Sequence, residues 1–85
     1  MKEFRYTITD QQGMHARPAG RITAVAKQFK SYTTLWTKEG SFDIKKLLQF
    51  MGSNVKCEDT IVVRVEGIDE EECAIALENA FKENL

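Results

Sequence analysis

The sequence predicts an α+β fold: a two-layer sandwich in which one antiparallel sheet is covered on one face by helices. Three observations lead there. Apolar residues recur at period two in some stretches and at helical spacing in others. The two periods follow one another in the order β-α-β-β-α-β-α. At 85 residues and 42% apolar side chains, the chain can build one core, hence one domain over residues 1–85.

Each element has a local reason. Residues 3–9, EFRYTIT, put Phe4, Tyr6 and Ile8 on one side of a strand, and Asp10-Gln11-Gln12-Gly13 breaks it. From Pro18 to Lys30, Ile22, Val25, Ala26 and Phe29 fall on one helical face. Pro18 suits the first turn, where its missing N–H costs nothing. Gly20 weakens that helix by up to ~1 kcal/mol against Ala. Residues 31–37, SYTTLWT, then the turn Lys38-Glu39-Gly40 and the return strand Ser41-Phe42-Asp43 form a hairpin. Residues 44–51, IKKLLQFM, form a short helix ended by Gly52-Ser53-Asn54. Residues 60–66, TIVVRVE, are the clearest strand. Asp69 caps a last helix, with Glu72 as its capping-box partner and Cys73, Leu77, Ala80 and Phe81 as the buried stripe. Hairpin pairing makes the sheet antiparallel, and amphipathic helices need one of its faces. Strand order does not follow from patterning.

Composition excludes several classes of function. Twelve basic and thirteen acidic residues give net charge −1, which argues against broad capture of nucleic acid or membrane. No apolar run approaches the roughly 20 residues that span a bilayer. The start, MKEFRYTITD, lacks the apolar centre of a signal peptide, so a cytoplasmic protein is expected. Cys57 and Cys73 form no CxxC pair and read as reduced, half-buried packing residues. No metal and no cofactor are expected.

The stretch GMHARPAG, residues 13–20, holds the only histidine and the only proline. A lone His before a helix is by itself a cap or a surface residue. Its neighbours change the reading. The first N–H groups of a helix lack internal partners and attract anions. Those of Ala16 and Arg17 are placed to cradle a phosphate, and the Arg17 guanidinium can grip its oxygens in two places. A helix N-terminus and a guanidinium both disfavour the imidazolium, and a neutral imidazole nitrogen is a nucleophile. These elements suit a surface site that accepts a phosphoryl group and hands it on. A hydrolase would also need an acid–base partner or a metal, and the loop is read as offering neither.

The run Gly13-Met14-His15-Ala16-Arg17-Pro18-Ala19 resembles the active-site motif of the HPr family, the histidine-containing phosphocarriers of the bacterial phosphotransferase system. The length, the element order, the Lys45-Lys46-Leu47-Leu48 segment and the acidic last helix extend the resemblance from end to end. It implies an open-faced β-sandwich with strand order 1-4-2-3 and three helices on one face. It implies that His15 takes a phosphoryl group from enzyme I, with phosphoenolpyruvate as the source, and carries it on Nδ1. The group then passes to sugar-specific enzyme II components of the A type, with Arg17 assisting. The protein is then a relay component and not a turnover enzyme, and a monomer by default. An HPr-like regulatory module, docking a target enzyme or transcription regulator according to phosphorylation, is the alternative.

A carrier docks different partners with one surface, which calls for exposed apolar residues rimmed by charge. Periodicity alone sends Leu47, Leu48 and Met51 to the core with Ile44. The resemblance instead turns those three toward partners and packs Phe50 inside. Arg17, Arg21, Lys27, Lys45 and Lys46 are expected to ring the site. The same Arg21, Lys27, Lys45 and Lys46 with Trp36 would form a nucleic-acid patch, a reading that net charge −1 disfavours. Three departures from the family stand out. Lys46 occupies the position of a regulatory serine found in many relatives, so a serine kinase has no hydroxyl there. Gly20 and Arg21 replace larger apolar residues or Thr. Asn54 replaces a usual Gly, at a turn where Asn tolerates a left-handed backbone.

Overall fold

The structure, a computed structural model, describes residues 1–85. Its elements are β1 (Lys2–Thr7), α1 (Ala16–Ala26), β2 (Tyr32–Thr37), β3 (Gly40–Asp43), α2 (Leu47–Met51), β4 (Thr60–Glu66) and α3 (Glu70–Asn84). The four strands form one antiparallel sheet in the order β1-β4-β2-β3. Period two decides which face goes where. Thr33, Leu35, Ile61, Val63 and Val65 point to the helices and are buried. Their alternates Tyr32, Trp36, Arg5 and Arg64 lie on the open face, where the Arg64 guanidinium stacks 4.5 Å over the Trp36 ring and pairs with Glu3. Phe81 of α3 sits in the core between Phe4, Tyr6 and Phe50, each ring edge-on to it.

Several boundaries differ from the sequence reading, and each difference has a local cause. The first helix starts at Ala16 and stops at Ala26. Beyond it the chain tightens into i→i+3 turns, with Gln28 N bonded to the Val25 carbonyl and Phe29 N to that of Ala26. Phe29 still packs on the core. The second helix loses Ile44, Lys45 and Lys46. The Ile44 N–H donates to the Thr33 carbonyl, its carbonyl accepts from the Thr23 hydroxyl, and Asp43 Oδ1 accepts from Lys45 N. Those bonds hold Ile44 out of the helix. Asn54 adopts the left-handed conformation, φ 54°.

The expected capping box at α3 does not form. Asp69 turns away from its own helix and accepts from Lys30 N, Ser31 N and the Ser31 hydroxyl. Three donors in the turn just before β2 outcompete one in α3. Glu70, and not Glu72, reaches back, accepting from Gly67 N. The cysteines also separate: Cys57 is half-buried, whereas Cys73 is fully buried. Burial, with the Asp69 charge beside it, pushes the Cys73 thiol up to about 11, so it stays protonated and unreactive at neutral pH.

The Ser31 and backbone donors hold the Asp69 carboxyl below its ordinary 3.8. A lowered folded value stabilises the protein fully above 3.8 and ceases to do so as pH falls through the folded value. Asp69→Asn is therefore expected to lower the melting temperature at neutral pH. The gap between variant and wild type should narrow as pH drops below 3.8. Thermal melts of both proteins across that range check this.

Candidate functional site

The site is the loop between β1 and α1. It is fixed from behind by backbone bonds. Thr9 N and Asp10 N both donate to the backbone oxygen of Leu85, and Met14 N donates to Val55. Asp10 then folds the loop on itself. Its Oδ1 accepts from Gln12 N at 2.8 Å, and its carbonyl accepts from Gly13 N at 2.9 Å. Gly13 turns with φ 66° against the Val55–Lys56 backbone, where a Cβ would stand 2.5 Å from the Val55 oxygen. Only glycine meets both demands.

His15 is the N-cap of α1, with extended backbone, and its carbonyl accepts from Ala19 N. Its side chain makes no capping bond, so the imidazole is left for other uses. The ring is 36% exposed, and the exposure is one-sided. Nε2 is buried with no hydrogen-bond partner. Nδ1 is not among the buried unpartnered atoms and makes no protein hydrogen bond, so it is the nitrogen that faces solvent. The Ala16 and Arg17 N–H groups open the helix without internal acceptors, and Pro18 brings none. Arg17 is exposed and enters none of the five ion pairs. A free imidazole nitrogen, two free helix N–H groups and an unpaired guanidinium thus share one helix mouth.

Asp10 is the residue that sequence reasoning missed. By sequence pattern alone it is a strand breaker in a loop with no acid–base partner. Its Oδ2 stands 3.7 Å from His15 Nε2. The signal was an Asx turn ending in a glycine, which brings position 10 back toward position 15.

The other expected residues lie along the helix layer. Leu48 is 84% exposed and Leu47 39%, while Phe50 and Ile44 are fully buried. The periodicity reading therefore fails for the two leucines. Met51 is half-buried against the core. The basic residues do not close a ring around His15. Arg17 and Arg21 lie on the first turns of α1, the latter bonded to Asn84 Oδ1 at 3.4 Å. Lys27 caps the other end of α1, about 16 Å away for eleven residues. Lys45 is there too, its Nζ bonded to the Phe29 carbonyl at 2.7 Å, and exposed Lys46 follows as the N-cap of α2. Since Val55 returns to Met14, α2 runs back toward His15. The basic residues thus bracket an apolar strip. Trp36 belongs to the opposite, open face of the sheet, so the nucleic-acid patch is not assembled. No group of three or more His, Cys, Asp or Glu side chains gathers as a metal site, and no helix is long and apolar enough to cross a membrane.

Residues 2–83 match the family model described as PTS HPr component phosphorylation site. The chain is 34% identical over 85 residues to the phosphocarrier protein HPr of Mycoplasma genitalium, covering 99% of this chain and 97% of that protein. It is 35% identical over 83 residues to HPr of Lysinibacillus sphaericus, covering 98% and 94%. A solved structure of a mycoplasma histidine-containing phosphocarrier protein superposes with TM-score 0.93 at 27% identity, over 96% of this chain and 93% of that one.

The two glycines of the site should respond oppositely to substitution. Gly13→Ala is expected to cost more than about 1 kcal/mol, because it meets both backbone and a left-handed φ. Gly20 has open space where its Cβ would stand. Gly20→Ala is expected to stabilise α1 by up to ~1 kcal/mol, a rise of several degrees in melting temperature. Denaturant unfolding of the two variants measures both signs.

Proposed function

Since this chain belongs to the HPr family of phosphocarriers of the phosphotransferase system, we propose that His15 accepts a phosphoryl group from enzyme I and passes it to A-type, sugar-specific enzyme II components. Phosphoenolpyruvate is the source, and the relay runs in the cytoplasm between a monomeric carrier and its partners. The observation that carries this reading is the one-sided His15 ring. With Nε2 buried and Nδ1 facing solvent, only one nitrogen is open to a donor.

Transfer then needs little from the carrier beyond placement. The Nδ1 lone pair forms the nitrogen–phosphorus bond as the donor's bond to phosphorus breaks. The phosphoryl oxygens meet the Ala16 and Arg17 N–H groups and the Arg17 guanidinium, donors fixed before the group arrives. With no enclosed cavity around the ring, the phosphohistidine stays reachable by the next acceptor.

The strip of Leu47, Leu48 and Met51 is the docking surface, with Arg21 at the His15 end and Lys27, Lys45 and Lys46 at the other. Leucine and methionine repack against different partners, which suits a surface that must serve both a donor and several acceptors. The flanking charges favour acidic partner faces and faster encounter. Lys46 provides no hydroxyl for a serine kinase, so regulation through that position is absent.

Incubation with enzyme I and phosphoenolpyruvate, followed by intact mass, tests the first transfer. One acid-labile phosphoryl group is expected on the wild type and none on His15→Ala. Arg17→Ala is expected to load roughly a hundredfold more slowly. An unmodified wild type, with the same enzyme I loading a known carrier, refutes the relay and leaves the regulatory module as the reading.

A further inference from the structure

His15 Nε2 poses a problem that the relay chemistry alone does not answer. A neutral imidazole carries one ring proton, on Nδ1 or on Nε2. On Nδ1 it would block the exposed nitrogen. On Nε2 it would be a buried donor with no acceptor in hydrogen-bond contact, a costly arrangement. One acceptor faces that atom: Asp10 Oδ2, at 3.7 Å.

Asp10 is held for this task by its other atoms. Its N–H is tied to Leu85, its carbonyl to Gly13 N, and its Oδ1 to Gln12 N. Only Oδ2 is left over, and it points at the ring. The separation exceeds a formed hydrogen bond, but hydrogen bonds around a catalytic imidazole often tighten only once the reacting group is in place.

We propose that Asp10 is a positioning residue for His15: its Oδ2 keeps the ring proton on Nε2 and so leaves the Nδ1 lone pair free for phosphorus. During loading the Nδ1 lone pair forms the bond to phosphorus, and the donor leaves with the electron pair of the bond that breaks. The Nε2 proton stays where it is, so no base has to remove one. In the phosphorylated ring the same N–H faces the same carboxylate, which steadies the positive charge that the ring shares. Unloading reverses these steps.

The test separates orientation from loop integrity. Asp10→Asn keeps an oxygen for Gln12 N but places an amide donor opposite Nε2. The neutral ring should then move its proton to Nδ1, which nitrogen NMR of histidine-labelled protein reads directly. Loading by enzyme I should slow roughly tenfold or more. Thr9→Val is the control: it removes the hydroxyl bond from the same loop to Leu85 and leaves the carboxylate. Its ring should keep the proton on Nε2 and load near the wild-type rate. An unchanged proton position in Asp10→Asn overturns the proposal, and so does an equal change in Thr9→Val. Only the loading rate rests on the relay reading. A proton that moves as expected in a protein that enzyme I never loads would uphold the positioning and refute the relay.

Discussion

The close approach of the Gly13 backbone to Val55 and Lys56 is the constraint on which the site depends. Without a Cβ there, the chain turns with a left-handed φ and lies against the loop that precedes β4. Met14 can then bond to Val55, and its side chain packs on the core. A second clamp, from Thr9 and Asp10 to Leu85, fastens the same loop to the end of α3. His15 is therefore borne by backbone anchored on two sides, to Val55 and to Leu85. Preorganisation of this kind is what the proposed transfer requires of a surface site.

The same economy of contacts shapes the exposed face of α2. Ile44 is drawn under the helices by bonds from Thr33 and Thr23, which delays α2 until Leu47. Phe50 then fills the core while Leu47 and Leu48 remain outside. With Ile44 anchored ahead of the short helix and Phe50 buried within it, an apolar strip that the sequence period alone would have buried is left exposed. Asp69 performs a comparable role elsewhere, joining the start of α3 to the turn before β2 through three bonds.

The order and type of all seven elements were legible because their periods are clean: Phe4, Tyr6 and Ile8 at spacing two, Ile22, Val25 and Ala26 at helical spacing. The strand order was not, because nothing in TIVVRVE says that it lies between β1 and β2. It came from resemblance to a family. Helix ends were misplaced wherever a tertiary bond won over a local signal, as at Ile44 and Asp69. At the site, His15 and Arg17 stood out as a motif. Asp10 did not, because a carboxylate five residues before a histidine meets it only after a tight turn. The sequence reads the basic residues as a ring, but the length of α1 separates Arg21 from Lys27. That separation is a matter of geometry that charge counting does not carry.

If His15 is the phosphoryl acceptor we propose, burial of Nε2 leaves Nδ1 as the nitrogen that carries phosphorus. Phosphorus–nitrogen coupling in the loaded protein, labelled at the histidine ring nitrogens, tests it most directly. A one-bond coupling to Nδ1 of His15 is expected. A one-bond coupling to Nε2, or phosphorus bound to any other side chain, would contradict it.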